Sequence, residues 1–142
     1  MNELKVGIAG YGVVGKRRHH YIDQHKSLKV VAVCDKTFPK NDFKINDVIW
    51  FKSYEKLLLL EIDILFVCLT NDIASKVTIE GLTKGMHVFC EKPPSMNSNQ
   101  VLEIIEIEKK NNKILKYGFN HRFHQSVIEA KRIINQGKLG KI

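Results

Sequence analysis

Two short stretches of this chain combine residue types and spacings that can do chemistry. The first is Gly10-Tyr11-Gly12-Val13-Val14-Gly15, directly after the apolar run Val6-Gly7-Ile8-Ala9. A G-x-G-x-x-G turn between a strand and a helix brings main-chain N–H groups against a pyrophosphate. Gly10 permits the tight exit from the strand, Gly12 leaves room for the backbone to approach the phosphates, and Gly15 lets the helix pack closely. The helix that follows offers unsatisfied N–H groups and a partial positive charge to the same anion, with Tyr11, Val13 and Val14 in the cradle by position. Alone the motif is weak; its context strengthens it, because a second apolar run, Lys29–Cys34, ends in Asp35, at the distance where an acid binds the adenosine ribose hydroxyls. A carboxylate there repels a 2′-phosphate, so NAD is the expected cofactor. NADP is the alternative, eased by Lys36 or by Arg17 or Arg18. The second stretch is Glu91-Lys92-Pro93-Pro94, an ammonium beside an acid on a turn that proline stiffens.

Both stretches need a scaffold that holds strand ends side by side. Apolar, β-branched runs at Lys5–Ala9, Lys29–Cys34, Val48–Phe51, Ile64–Leu69, Val88–Cys90 and Ile114–Gly118 alternate with amphipathic stretches. That alternation predicts an α/β fold, and runs without polar alternation read as strands buried on both faces. Helices are expected over about Val13–His25, after the capping Ser53 with Leu57, Leu58 and Leu60, over Ile73–Lys84 with Gly85 as a left-handed stop, after Asn97 with Gln100 as a capping-box pair, and over Gln125–Gln136 closed by Gly137. On the fourth, Val101, Ile104, Ile105 and Ile107 are expected to form the buried face. Pro39–Asp47 reads as a loop. The expected architecture is a doubly wound parallel sheet of about six strands in the order 3-2-1-4-5-6, with helices on both faces.

The chain has 142 residues, 44% hydrophobic and 27% charged, which suits one domain with one core. Its net charge of +8 raises nucleic-acid binding, but the basic residues are scattered and no aromatic residues interleave with them, so none is expected. Lys16-Arg17-Arg18 sits at a helix start, where the macrodipole disfavours cations, and is read as solvent-exposed. No run reaches the roughly 18 apolar residues of a membrane span, and Met1–Val6 lacks a leader's pattern. Cys34, Cys68 and Cys90 are odd in number and lack C-x-x-C spacing, which favours reduced, buried thiols and a cytoplasmic location. His19, His20, His25, His87 and His124 show no metal-ligand spacing, so no metal site is expected.

The glycine loop together with Phe89-Cys90-Glu91-Lys92-Pro93-Pro94 resembles the Gfo/Idh/MocA oxidoreductases, and the resemblance continues through Gly85-Met86-His87-Val88, Gly118-Phe119-Asn120-His121-Arg122-Phe123 and Gly137–Ile142. It implies reversible hydride transfer between nicotinamide and a secondary hydroxyl of a sugar, cyclitol or sugar nucleotide. Lys92 would be the catalytic lysine, placed between nicotinamide ribose and substrate, with Glu91 fixing it and a Lys92–Pro93 bond that is often cis. Thr70 and Asn71 match a cofactor-lining segment, although its proline is absent and Ala74 stands where a histidine is usual. Asn120 and Arg122 are implied at the nicotinamide end. The resemblance assigns residues 1–142 to the NAD(P)-binding Rossmann domain, with 137–142 beginning the passage to an α+β substrate domain that supplies a general base and the homo-oligomer interface. Without that domain the chain is expected to bind NAD weakly and turn nothing over. The competing reading is a stand-alone NAD-binding regulatory or interaction module.

Overall fold

The strands are β1 (Leu4–Ala9), β2 (Leu28–Cys34), β3 (Phe43–Ile45), β4 (Val48–Phe51), β5 (Ile64–Val67), β6 (His87–Cys90) and β7 (Leu115–Tyr117) in a computed structural model that describes residues 3–141. The helices are α1 (Val13–Ile22), α2 (Tyr54–Leu57), α3 (Asn71–Thr83), α4 (Ser98–Asn111) and α5 (Gln125–Asn135), with a 3-10 turn at Asn120–Phe123. One sheet takes the order β3-β4-β2-β1-β5-β6-β7. Without β3 this is the expected 3-2-1-4-5-6 arrangement, all parallel. β1 lies between β2 and β5, so the connections diverge at its carboxyl end and open a crevice there.

Alternate residues of the central strands face opposite layers, with an irregularity in β2 that brings both Val30 and Val33 to one face. Val6, Ile8, Val30, Val33 and Val48 pack on one face with Ile22 of α1. Leu65, Val67, Val88 and Cys90 pack on the other with Leu57, Val77, Leu82 and Ile104. A Cβ on Gly81 would stand 2.7 Å from Leu65 Cδ2, so this glycine sets how closely α3 lies on the sheet. Asn97 caps α4 by accepting from Gln100 N–H at 3.1 Å, while Gln100 Oε1 accepts from Met96 N–H at 3.0 Å.

The structure departs from the sequence reading in several places. Pro39–Asp47 is not all loop: Phe43–Ile45 forms the edge strand β3, antiparallel to β4. Asn46 and Asp47 join the two with φ of 47° and 69°, the left-handed pair of a tight hairpin. The connection from β2 to β4 carries no helix. Phe38, Phe43 and Trp50 fill its place on the sheet, with Trp50 stacked on Phe43 at 5.4 Å and edge-on to Tyr11 at 5.0 Å. α1 ends at Ile22 rather than His25, β5 at Val67 rather than Leu69, and Ile105 of α4 faces outward at 37% exposure. The inward stripe of α4 is Val101, Ile104 and Ile107, a three-residue step that leaves Ile105 on the flank.

Candidate functional site

The turn out of β1 is built where backbones nearly touch. Gly10 has φ +91°, and a Cβ there would overlap the Cys68 carbonyl. A Cβ on Gly15 would overlap the Gly10 carbonyl, so the close packing of this glycine is against the turn itself, with Ile8 Cγ2 next at 3.5 Å. Gly12 differs: a Cβ there meets nothing within 4 Å. It is also the N-cap of α1, makes no side-chain cap, and no acid occupies the first turn. The N-terminal N–H groups of α1 therefore have no side-chain cap, and the space beside Gly12 is open to an anion.

Asp35, just past β2, is tied to this turn. Its Oδ2 accepts from Tyr11 N–H at 2.9 Å, and Oδ1 accepts from Thr37 N–H at 3.0 Å and Thr37 Oγ1 at 2.7 Å. Of about four acceptor directions on a carboxylate, one remains, on Oδ2. Burial pushes this carboxyl up, but the Thr37 N–H and hydroxyl, the Tyr11 N–H and the Lys36 charge outweigh it and hold Asp35 below its ordinary value. It stays anionic and can accept from a ribose hydroxyl.

A hollow of 430 Å³ opens beside it, lined by Gly10, Gly12, Asp35, Lys36 and Thr70 among the expected residues. Along the strand ends a second hollow of 540 Å³ adds Val14, Glu91, Lys92 and Asn120, and a third of 590 Å³ holds Lys92, Asn120 and Arg122. Cys68 and Leu69 line the first two, and Lys92 and Asn120 the last two, so the three form one trough across the carboxyl ends of the sheet. Burial pushes the thiols of Cys34 and Cys68 up to about 12, so they line the trough as neutral, inert groups.

Four expected residues, Tyr11, Val13, Gly15 and Asn71, stand apart from the trough walls. The Tyr11 side chain turns to the α1 face of the sheet, where its hydroxyl bonds His19 Nδ1 at 2.6 Å, leaving only its main chain at the loop. Val13 and Asn71 are not among the lining residues. Asn71 opens α3, which begins two residues earlier than the Ile73 expected from its apolar periodicity, with Thr70 as N-cap.

Glu91 does not hold Lys92. Its Oε1 accepts from Arg18 Nε at 2.8 Å and from Arg18 Nη2, and the guanidinium lies 4.8 Å over the Phe89 ring. The pair is largely buried, at 26% and 15% side-chain exposure. Arg18 is therefore not the solvated cation its position in a basic run suggests. The ion pair and the aromatic face outweigh the small macrodipole penalty of a cation one turn into α1. The Lys92–Pro93 bond is cis. Among the described residues the Lys92 ammonium has no hydrogen-bond or ion-pair partner.

Sequence reasoning also missed Lys52, Ser53 and Tyr54, which line the Asp35 end, and Val127 at the Lys92 end, where His121 lies beside Arg122 as the family resemblance implied. The available signal for the first group is topological: residues after β4 must lie beside those after β2.

Residues 4–119 match the Gfo/Idh/MocA oxidoreductase family, NAD-binding Rossmann fold. The chain belongs to this family. It is 33% identical to D-glucoside 3-dehydrogenase of Escherichia coli, over 98% of this chain and 41% of that one. Its fold matches myo-inositol 2-dehydrogenase of Lactobacillus plantarum at TM-score 0.82 and 29% identity, covering 99% of this chain and 43% of that one. It also matches scyllo-inositol dehydrogenase of Lactobacillus casei with bound NAD(H) and scyllo-inositol at TM-score 0.83 and 26% identity, again covering 99% and 43%. The chain thus spans about two fifths of the length of these relatives. The matched family domain is an NAD-binding Rossmann fold, and no described helix is long and apolar enough to cross a membrane.

Two outcomes follow for this Gfo/Idh/MocA domain. In urea unfolding followed by Trp50 emission, G10A costs about 2–5 kcal/mol, combining a left-handed alanine at about 1–2 kcal/mol with overpacking of about 1–3 kcal/mol. G12A, at an open N-cap, costs about 1 kcal/mol or less; equal losses would contradict the geometry. Because the folded Asp35 carboxyl lies below its unfolded value of about 3.9, its stabilisation is present above that pH and lost as pH falls through the folded value. The melting-temperature gap between wild type and D35N is therefore widest near neutrality and closes below about pH 4. A gap independent of pH would show that the negative charge of Asp35 adds nothing to these bonds.

Proposed function

We propose that this chain is the cofactor half of an NAD-dependent dehydrogenase acting on a secondary alcohol of a sugar or cyclitol, with residues 1–142 as its Rossmann domain. The observation that carries this reading is the order of groups along one trough: Asp35, the open N-terminus of α1 at Gly12, then Glu91 and Lys92. An acceptor for the ribose, amides for the diphosphate and a cation for the reacting oxygen stand in the sequence that a dinucleotide's own groups require.

Bound NAD supplies the hydride acceptor. The chain's own residues do the rest of what can be derived. Gly12, Val13 and Val14 present backbone N–H groups to the phosphates. Asp35 accepts from an adenosine ribose hydroxyl through Oδ2, and its negative charge disfavours a 2′-phosphate. Lys36 and Lys52 line the same hollow but leave Asp35 the group nearest the loop. Thr70 and Leu69 close the crevice beside the phosphates. Lys92, unpaired at the far end, donates to the substrate hydroxyl and stabilises negative charge growing on that oxygen as its proton leaves. Asn120 and Arg122 flank the same hollow and orient the substrate side. Inositol and glucoside dehydrogenases among the relatives support a polyol or sugar substrate. Because the chain spans about two fifths of their length, the proton acceptor and most substrate contacts are assigned to the remainder of such an enzyme.

Calorimetric titration tests the reading. NAD is expected to bind at one site and NADP at least about tenfold more weakly, a difference of about 1.4 kcal/mol. G12V should remove the NAD signal while lowering the melting temperature only modestly, with one cooperative transition retained. With NAD and myo-inositol or a methyl glucoside, the chain should form no NADH. Equal NAD and NADP affinity would contradict the role of Asp35, and steady NADH formation would contradict the division of labour.

A further inference from the structure

Lys92 and Glu91 are neighbours in sequence with opposite charge, and a flexible ammonium beside a free carboxylate pairs with it. An ammonium so captured could not donate to a substrate hydroxyl. The structure shows the carboxylate engaged elsewhere. Both Nε and Nη2 of Arg18 donate to Glu91 Oε1, and the guanidinium rests on Phe89, itself stacked on Phe66 at 5.0 Å. On its other side the carboxylate abuts Gly118, where a Cβ would stand 2.7 Å from Oε2. The Glu91 main chain is also fixed: its N–H donates to Val67 O at 2.9 Å, and its carbonyl accepts from the Cys90 thiol at 3.3 Å. Glu91 thus points to α1, and the Arg18 bonds are what hold its side chain there.

We propose that Arg18 is a positioning residue for Lys92: by holding Glu91 in a buried, charge-assisted hydrogen bond it keeps the neighbouring ammonium free for the cofactor and substrate. This rests on the reading of Lys92 given above. The guanidinium suits the task because several donors converge on one carboxylate and its flat face stacks on an aromatic ring, neither of which a lysine reproduces. Arg18 also lies one turn beyond Gly15 on the helix whose N-terminus faces the diphosphate. The phosphate cradle and the reacting end of the trough are therefore joined by this contact.

The test uses the 142-residue chain labelled with 13C at the lysine side chains, with the Lys92 signal assigned by its loss in K92R. In the wild type, saturating NAD is expected to move the Lys92 13Cε signal. In R18Q, NAD still binds through Asp35 and the glycine loop, but Glu91 takes the ammonium and the Lys92 response falls by more than about half. In R18Q/E91Q nothing captures the ammonium, and the response returns. That recovery separates positioning from a purely structural role, because a second lost contact would only worsen a structural defect. A full response in R18Q, or a double variant no better than R18Q, would overturn the proposal while leaving the NAD site intact. A wild-type Lys92 signal indifferent to NAD would overturn both the role of Lys92 and this inference.

Discussion

The site depends on backbone contact without intervening side chains. At the carboxyl end of β1 the chain turns so tightly that Gly10 lies against the Cys68 carbonyl and Gly15 against the Gly10 carbonyl. The turn is bonded to both neighbouring strands, Gly10 N–H to Cys34 O at 2.9 Å and Cys68 N–H to Ala9 O at 2.7 Å. With both sides fixed, α1 can leave the sheet in only one direction, and its N-terminus is aimed across the crevice where the connections diverge. Asp35 meets the Tyr11 amide and Arg18 meets Glu91 as consequences of that direction. A side chain at Gly10 or Gly15 would move all of these together.

Charge is used sparingly at this site despite the chain's net +8. In the proposed site the diphosphate end is served by main-chain N–H groups, which need no desolvated cation. Of the basic residues after Gly15, Arg18 is engaged by Glu91 and so adds no net charge to the trough. Lys92 and Arg122 are the cations at the reacting end, neither with a hydrogen-bond or ion-pair partner among the described residues. This division explains how an acid can sit beside the lysine without quenching it.

Much of this architecture was legible because it follows from patterns that physics makes strict. The parallel order came from β-branched runs alternating with helices, and Ser53, Asn97, Gly85 and Gly137 marked helix ends through capping and left-handed geometry. The glycine loop and Asp35 were legible because their spacing reflects one contiguous unit. What escaped is either very short or depends on contacts far apart in sequence. β3 is three residues long and turns through Asn46-Asp47 rather than the more telling Asn-Gly. Arg18 and Glu91 are 73 residues apart, and a basic run gives no sign that one of its members is stacked on a phenylalanine. The Tyr11 side chain was placed by its position in the motif, whereas the aromatic cluster that replaces a helix between β2 and β4 draws it to the opposite side.

The central claim is that open α1 amides, next to a carboxylate with one free acceptor direction, form the NAD cradle. Amide-resolved NMR of the 15N-labelled chain during NAD addition tests it most directly. The account predicts that the N–H signals of Gly12, Val13 and Val14 move most, with Tyr11 and Asp35 following in the same titration. Shifts confined to the basic surface of α5 or scattered over exposed lysines, with the Gly12–Val14 signals unmoved, would contradict it.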